Sequence, residues 1–399
     1  MKAYGVYNSE CGEEGCETKM STQSSVPLRR LGRSGLIVSR LCLGTLMFGA
    51  RLSEAESKRM VDFAFERGVN FIDTADNYVS GRAEEITGRA IAKNRDRWVL
   101  ATKVATPAPD PGPNRRGLSR KWIMEQVAAS LKRLGTDYID ILYLHKEDIL
   151  TPLEETVRAL ADLQRAGSIR YFGVSNYRAW RIARICEICD SENIDRPVAS
   201  QPLYHCLVRK IETEELPACE HYGLGVFPFS PIARGVLTGK YADGAAPPEG
   251  SRAASPPTEG GDADEATRKR ANTQAHKRMM DTEFHPDNLR AAAAIAQYAR
   301  ARGADPGAFA IAWALSNPLI TGAIAGPRTQ EQWESYFKAF DVEWTPEDEA
   351  FVDSVVAPGT TAIPNYIDPM YPVDGRRNIE FGRPGSGPLD TGFVPVKLK

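Results

Sequence analysis

The chain has 399 residues, 42% of them hydrophobic and 26% charged, with a formal net charge of −2. That is the make-up of a soluble globular protein, and so small a charge gives no electrostatic reason to expect nucleic acid or a membrane as partner. No run of about 18 apolar residues is present to span a bilayer, the N-terminus lacks the apolar core of a signal peptide, and the cysteines are too scattered for a disulfide framework, so a cytoplasmic setting is expected.

In chain order, residues 1–25 read as a flexible polar leader, and Cys11 and Cys16 within it have no nearby His or second Cys pair to complete a zinc set. From Leu41 onward short apolar runs alternate with longer amphipathic stretches. Strands are expected at Leu41–Gly44, Asn70–Asp73, Trp98–Lys103, Ile139–His145, Tyr171–Ser175, Pro197–Gln201, Gly225–Ser230 and Thr321–Ala325. Most are near-continuous apolar runs, as parallel strands covered on both faces require. Helices are expected at Glu54–Arg67, Arg120–Leu134, Leu153–Ala166, Arg181–Ser191, Asn288–Arg302 and Thr329–Phe340, with a last one near Thr345 to Val356. Ser53 and Ser119 serve as N-caps, and Gly68 and Gly167 as stops. Cys186 and Cys189 form a C-x-x-C inside one of these helices, without the thioredoxin-like context a redox pair needs.

Eight βα units predict a closed (β/α)8 TIM barrel over residues 26–357, and such a barrel takes about 250 residues or more as one unit. An open doubly wound sheet is disfavoured because no G-x-G-x-x-G follows the first strand. Three pieces extend the barrel: the N-terminal extension, a long Pro/Gly/Ala-rich loop from Tyr241 to about Asp281 after strand seven, and an extended C-terminal tail, 358–399. The charges in the long loop cancel, so a lid or a solvated loop with a helix is expected there. The tail carries Ile363, Tyr366, Ile367, Met370 and Tyr371, too apolar for a free linker. It is expected to dock on its own barrel mouth or on a neighbouring subunit, the second of which would make a homo-oligomer.

In an eight-stranded α/β barrel the reactive groups belong at the C-terminal ends of the strands, whatever the reaction. The polar residues there are Asp73, Lys103, His145, Ser175 with Asn176, Gln201 and Ser230, and Tyr78 follows Asp73 in the next loop. Singly, each has an ordinary explanation: a Lys capping an apolar strand snorkels to water, and a His or Asp there can be a hydrogen-bonded core group. Together they put a carboxylate, an ammonium, a phenol and an imidazole on neighbouring strand ends. Left unpaired and buried, each charge would cost several kcal/mol, so a mutually paired catalytic cluster explains them better.

These residues sit in motifs that resemble the aldo-keto reductases, from about Leu28 to Val356. The motifs are Leu31-Gly32-Arg33-Ser34-Gly35 leading to Gly44-Thr45, Phe71-Ile72-Asp73-Thr74-Ala75 with Tyr78, and Thr102-Lys103. Then come Leu134-Gly135-Thr136-Asp137-Tyr138 into His145, Gly173-Val174-Ser175-Asn176, Gln201-Pro202 with Tyr204, and Ser230-Pro231-Ile232-Ala233-Arg234-Gly235 ending Thr238-Gly239-Lys240-Tyr241. The resemblance is to bacterial-type, NADP-dependent members related to the potassium-channel β subunit-like branch.

The resemblance implies reduction of an aldehyde, ketone or sugar-like carbonyl to its alcohol, or the reverse, with Tyr78 as general acid/base, Lys103 lowering its pKa, Asp73 fixing Lys103 and His145 donating to the carbonyl oxygen. It implies NADPH as hydride donor, with NADH as the alternative. By the same resemblance Ser175, Asn176 and Gln201 hold the carboxamide, Phe229 stacks on the nicotinamide, and Gly44 and Thr45 border it. Ser230, Ile232, Gly235 and Lys240 line the pyrophosphate path, and Arg252 lies in a loop that closes over it. Gly326 and Arg328 open a helix suited to the 2′-phosphate, with Gln332 along it. Relatives carry a Glu-Asn pair where this chain has Ser335 and Tyr336, so the adenine contacts differ here. No metal is implied, and a hydrolase on this barrel would need paired carboxylates that are not evident. The alternative function is a nucleotide-binding, redox-sensing subunit with little turnover.

Overall fold

The computed structural model describes residues 26–107, 112–241, 246–249, 251, 253–254 and 261–368. It begins with an antiparallel hairpin, β1 (Leu28–Arg30) and β2 (Ile37–Ser39), which the apolar pattern did not announce because its strands are so short. Eight parallel strands follow: β3 (Leu41–Gly44), β4 (Phe71–Asp73), β5 (Val99–Val104), β6 (Ile139–Leu144), β7 (Ile169–Ser175), β8 (Ala199–Gln201), β9 (Gly225–Val226) and β10 (Ala323–Ala325). Their order is β10-β3-β4-β5-β6-β7-β8-β9. The two ends of that order meet through Thr321 N–H on Val226 O (2.9 Å), Ile324 N–H on Pro228 O (2.9 Å) and a parallel bridge between Phe229 and Ile324. Each strand run expected from the sequence is present, and the sheet closes into the (β/α)8 barrel.

Alternation along the strands sorts the apolar residues into two layers. Leu41, Leu43, Ile72, Leu100, Leu142, Leu144, Phe172 and Val174 face outward into the shell of helices. Cys42, Phe71, Val99, Ala101, Ile141, Tyr143, Ala199 and Phe227 face inward, and the hairpin plugs the barrel floor beneath them with Leu31 and Val38. The hairpin turn needs glycine: at Gly32, with φ +54°, a Cβ would lie 2.3 Å from Gly223 O.

Local signals set the helix ends. Ser53 caps helix Glu54–Glu66 in a reciprocal capping box with Glu56, and Ser119 caps Arg120–Leu134. Three helices went unforeseen: Arg82–Ile91, Glu215–Tyr222 and Pro306–Ser316. The last is buried on nearly every side, so it has no polar face to give it a periodic pattern. The described cysteines, Cys186 and Cys189 among them, are free and buried. Burial pushes both of those thiols up to about 12.

The connection after β9 holds the helix Glu265–Thr282, N-capped by Asp264. It reaches across to the loop after β3. Glu54 N–H donates to Asp262 at 2.5 Å, Ala263 N–H to Gly49 O at 3.1 Å and Arg51 Nε to Asn272 Oδ1 at 3.1 Å. The helix also packs on the turn Tyr78–Gly81, which makes it a lid over the C-terminal end of the barrel. The described part of the tail returns to its own barrel. Thr361 bridges Val208, Arg209 N–H donates to Thr360 O (2.8 Å), Ala362 N–H to Leu207 O (3.0 Å), and Arg278 pairs with Asp368 (3.0 Å). Met370 and Tyr371 lie outside the described residues. No described helix is long and apolar enough to cross a membrane.

Two helices approach closely at Gly88, where a Cβ would fall 2.0 Å from Leu134 O, a backbone atom that cannot swing away. Gly88→Ala should destabilise the fold by about 1–3 kcal/mol, the usual cost of overpacking. Urea denaturation would show it as a lower midpoint at unchanged slope, and an unchanged midpoint would contradict the packing described.

Candidate active site

The inward parity of each strand carries upward into the polar residues. Asp73 is two past Phe71 on β4, Lys103 two past Ala101 on β5, and His145 two past Tyr143 beyond β6. Gln201 is two past Ala199 on β8, and Phe229 two past Phe227 beyond β9. One period therefore gives an apolar barrel interior below and a polar layer above it. Register holds the layer level: Gly44 opposes Asp73, Lys103 opposes Tyr143, and Ser175 opposes Gln201.

Lys103 is 1% exposed and Asp73 2%. The Lys103 ammonium is hydrogen-bonded to Asp73 Oδ1, to Thr74 O at 2.8 Å and to the Tyr78 hydroxyl oxygen at 3.3 Å. That employs each of its donors. Gln201 Nε2 donates to the other Asp73 oxygen at 2.9 Å. Because the Tyr78 oxygen accepts from the lysine, its own proton is left for a group in the cleft. The Tyr78 and His145 rings meet edge to face at 5.9 Å. The turn that carries Tyr78 is strained, with Val79 at φ 49°, Ser80 at 56° and Gly81 at 92°. Left-handed backbone in non-glycine residues costs about 1–3 kcal/mol each and persists where the surroundings over-determine it. Here Val79 is buried and the lid helix lies on the turn.

Burial pushes the Tyr78 phenol above its ordinary value, and the Lys103 ammonium pulls against it without reversing it. The sequence reading expected the lysine to lower this pKa. The pull is present, but desolvating a tyrosinate outweighs it, so Tyr78 is a protonated phenol at neutral pH. Burial also works against the Lys103 ammonium, yet Asp73 and Tyr78 more than compensate and hold it protonated. Burial raises Asp73, opposed by Lys103 and Gln201. Burial, with Lys103 and Lys146 nearby, keeps the His145 imidazole well below its ordinary value and therefore neutral.

A single cleft contains Asp73, Tyr78 and His145 together with Gly44, Thr45, Ser175, Asn176, Gln201, Phe229, Ser230, Ile232, Gly235, Lys240, Gly326, Arg328 and Gln332. Arg252 lies outside the described residues. The cleft walls offer polar groups to a ligand. The Thr45 hydroxyl is buried without a partner. Ser175 Oγ donates to Gln201 O at 2.8 Å, and Asn176, at φ 57°, donates to His145 O at 2.9 Å and to Ser175 Oγ at 3.0 Å, which leaves its amide oxygen to accept. A Cβ at Gly326 would meet nothing nearer than 3.7 Å, and Arg328 N–H is tied to Gln332 Oε1 at 2.9 Å beside the capped helix Gln330–Phe337. Among the described residues no group of acidic, His and Cys side chains could hold a metal ion.

Several cleft residues escaped the sequence reading. Asp305, Gly307 and Ile311 come from the buried helix Pro306–Ser316, whose Asp-Pro start was its one readable signal. Ser335 and Tyr336 do line the cleft, but the Ser335 hydroxyl donates back to Gln332 O at 2.9 Å. Outside the cleft lining, Arg51 of the loop after β3 is pushed down to about 10 by burial and by the Arg328 cation near it. Arg234 lines the cleft from the motif after β9, where the reading gave it no role.

The profile of the Aldo/keto reductase family matches residues 40–357. The chain is 38% identical over 319 residues to a probable voltage-gated potassium channel subunit beta of Arabidopsis thaliana, covering 79% of this chain and 91% of that protein. It is 36% identical over 327 residues to an uncharacterized oxidoreductase of Bacillus subtilis, covering 79% and 92%. With versiconal hemiacetal acetate reductase of Aspergillus parasiticus it shares 33% over 361 residues, covering 83% and 98%. A barrel whose inward parity ends in this polar layer, matched over most of its length, places the chain in the aldo/keto reductase family.

Proposed function

We propose that this protein is an NADPH-dependent oxidoreductase that interconverts an aldehyde, ketone or sugar-like carbonyl and its alcohol. The observation that carries this reading is the Tyr78 hydroxyl, accepting from a lysine whose other bonds are fixed and opening with His145 onto the cleft. A bound nicotinamide cofactor supplies the hydride. Tyr78 gives its proton to the carbonyl oxygen, and Lys103 stabilises the phenolate left behind. The neutral His145 imidazole donates a hydrogen bond to the same oxygen as charge develops there. Asp73 and Gln201 keep the lysine aimed.

Arg51 and Arg328 support the choice of NADPH. Arg328 lines the cleft beside the N-terminus of the helix Gln330–Phe337, with Arg51 near it, and a guanidinium there suits the 2′-phosphate that distinguishes NADPH from NADH. A second reading, a redox-sensing subunit with little turnover, draws on the likeness to the plant channel subunit. Repeated turnover of NADPH with a carbonyl panel decides between them; oxidation of only one cofactor per protein would favour the second.

Tyr78→Phe should lower kcat by at least 100-fold, within the usual worth of general acid catalysis, roughly 10²–10⁴, while NADPH affinity by fluorescence changes little. Retention of a tenth of kcat would remove Tyr78 from the acid's role. In alcohol oxidation Tyr78 acts as base, so the rate should climb with pH through a limb above 10, the ordinary phenol value that burial raises. Lys103→Met removes the largest influence that lowers this pKa, so the limb should move to higher pH. A limb that stays in place would show that the lysine does not act on Tyr78. Arg328→Ala should weaken NADPH by roughly 10- to 150-fold, the worth of a charge-assisted hydrogen bond, and NADH far less. Equal losses for both would mean that Arg328 does not meet the 2′-phosphate.

A further inference from the structure

We infer that the substrate end of the cleft recognises a carboxylate on the carbonyl substrate, and that Arg234 is the residue that reads it. This deepens the oxidoreductase reading above and rests on it.

Arg234 is held in place at a structural cost. It stands at φ 53° between Ala233 at φ 47° and Gly235 at φ 98°, a left-handed run in the loop after β9. An L-residue with a bulky side chain adopts that backbone only where the surroundings enforce it. The effect is to aim the side chain back at the barrel mouth. It is 10% exposed and lines the same cleft as Tyr78 and His145, close enough for its charge to be felt at the Tyr78 phenol.

A buried acid fixes the guanidinium by one edge. Glu283, 2% exposed, lies 2.9 Å from Arg234 Nε and is itself hydrogen-bonded by the Thr282 hydroxyl. Nε is buried without a well-aligned hydrogen bond despite that ion pair, and no described residue accepts from the Nη groups, so most of the donors of this fork are unused. The tail adds another group in the same state. Tyr366, held near the pair by the Arg278–Asp368 ion pair at 3.0 Å, has a buried hydroxyl without a hydrogen-bond partner.

These groups have one deficit in common. Arg234 and Tyr366 offer donors without acceptors, and the Tyr78 proton and the neutral His145 add more beside them. A buried cluster short of acceptors calls for a ligand rich in oxygen. The carbonyl oxygen answers Tyr78 and His145. A carboxylate is the group that answers a guanidinium fork, through two parallel charge-assisted hydrogen bonds. Glu283 does not cancel this. It neutralises the long-range charge, which keeps the buried arginine affordable, and leaves the directional donors for the substrate.

The test compares carboxylate aldehydes of increasing length (glyoxylate, succinate semialdehyde, 4-carboxybenzaldehyde) with their methyl esters, using the full chain and NADPH. For at least one pair the wild type should favour the acid by roughly 10-fold or more in kcat/KM, mainly through KM. Arg234→Gln paired with Glu283→Gln, which leaves no unpaired buried charge, should bring that ratio to near one. Arg234→Lys, which keeps charge but not the fork, should fall between. Turnover of the esters without any preference for an acid would overturn the proposal and leave the oxidoreductase reading intact. Turnover of no carbonyl compound would sink both. If the double variant lost NADPH affinity as steeply as it lost acid preference, Arg234 would belong to the cofactor, and the proposal would again fail.

Discussion

The ion pair between Lys103 and Asp73 is the constraint on which the upper half of the barrel depends. Both groups are almost wholly buried, and a buried pair is tolerable only when its remaining lone pairs and protons are satisfied. Here they are, by Thr74 O, the Tyr78 oxygen and the Gln201 amide. The pair itself joins the neighbouring strands β4 and β5, its partners come from the loop after β4 and from β8, and the Gln201 contact reaches across the barrel, so the pair is fully satisfied only once the sheet has curled and closed. The fold makes the site, and the site in turn penalises any register that leaves the lysine unpaired.

Strain concentrates at the barrel mouth, in two places. The Tyr78 turn and the Arg234 loop each run through consecutive residues with positive φ, and both are clamped from outside by the connection after β9. Its helix packs on the first turn, and Glu283, just past its end, pairs with Arg234 in the second. The tail is tied to the same helix through Arg278 and Asp368. One connection therefore braces the Tyr78 turn, the Arg234 loop and the tail.

Much of this was legible in the sequence, for a physical reason. Strands covered on both faces must be apolar throughout, so Asp73, Lys103 and His145 at their ends stand out against the runs that precede them. Even so, periodicity could not reveal β1 and β2, three residues each, nor a helix such as Pro306–Ser316 with no polar face. Arg51 and Arg234 were hidden differently. Each looks like an ordinary loop arginine until the barrel closes and brings it to a partner from a distant segment, Asn272 for one and Glu283 for the other. The net direction of the Tyr78 shift was not legible because a sequence names neighbours but not the depth at which they are buried: Lys103 does pull the phenol down, and burial outweighs it.

The lid helix itself shows how much of this order is tertiary. Glu265–Thr282 has 18 residues, and its buried side chains include Asn272, Met279 and Thr282. Polar helices of that length are marginal in isolation, since most helical stability in proteins comes from packing of an apolar face. This one is held by polar contacts at spaced points: its N-terminal loop to the loop after β3, Asn272 to Arg51, and Arg278 to the tail. Each contact leads to a different part of the cleft. Arg51 lies near Arg328, whereas Glu283 and the tail lie near Arg234.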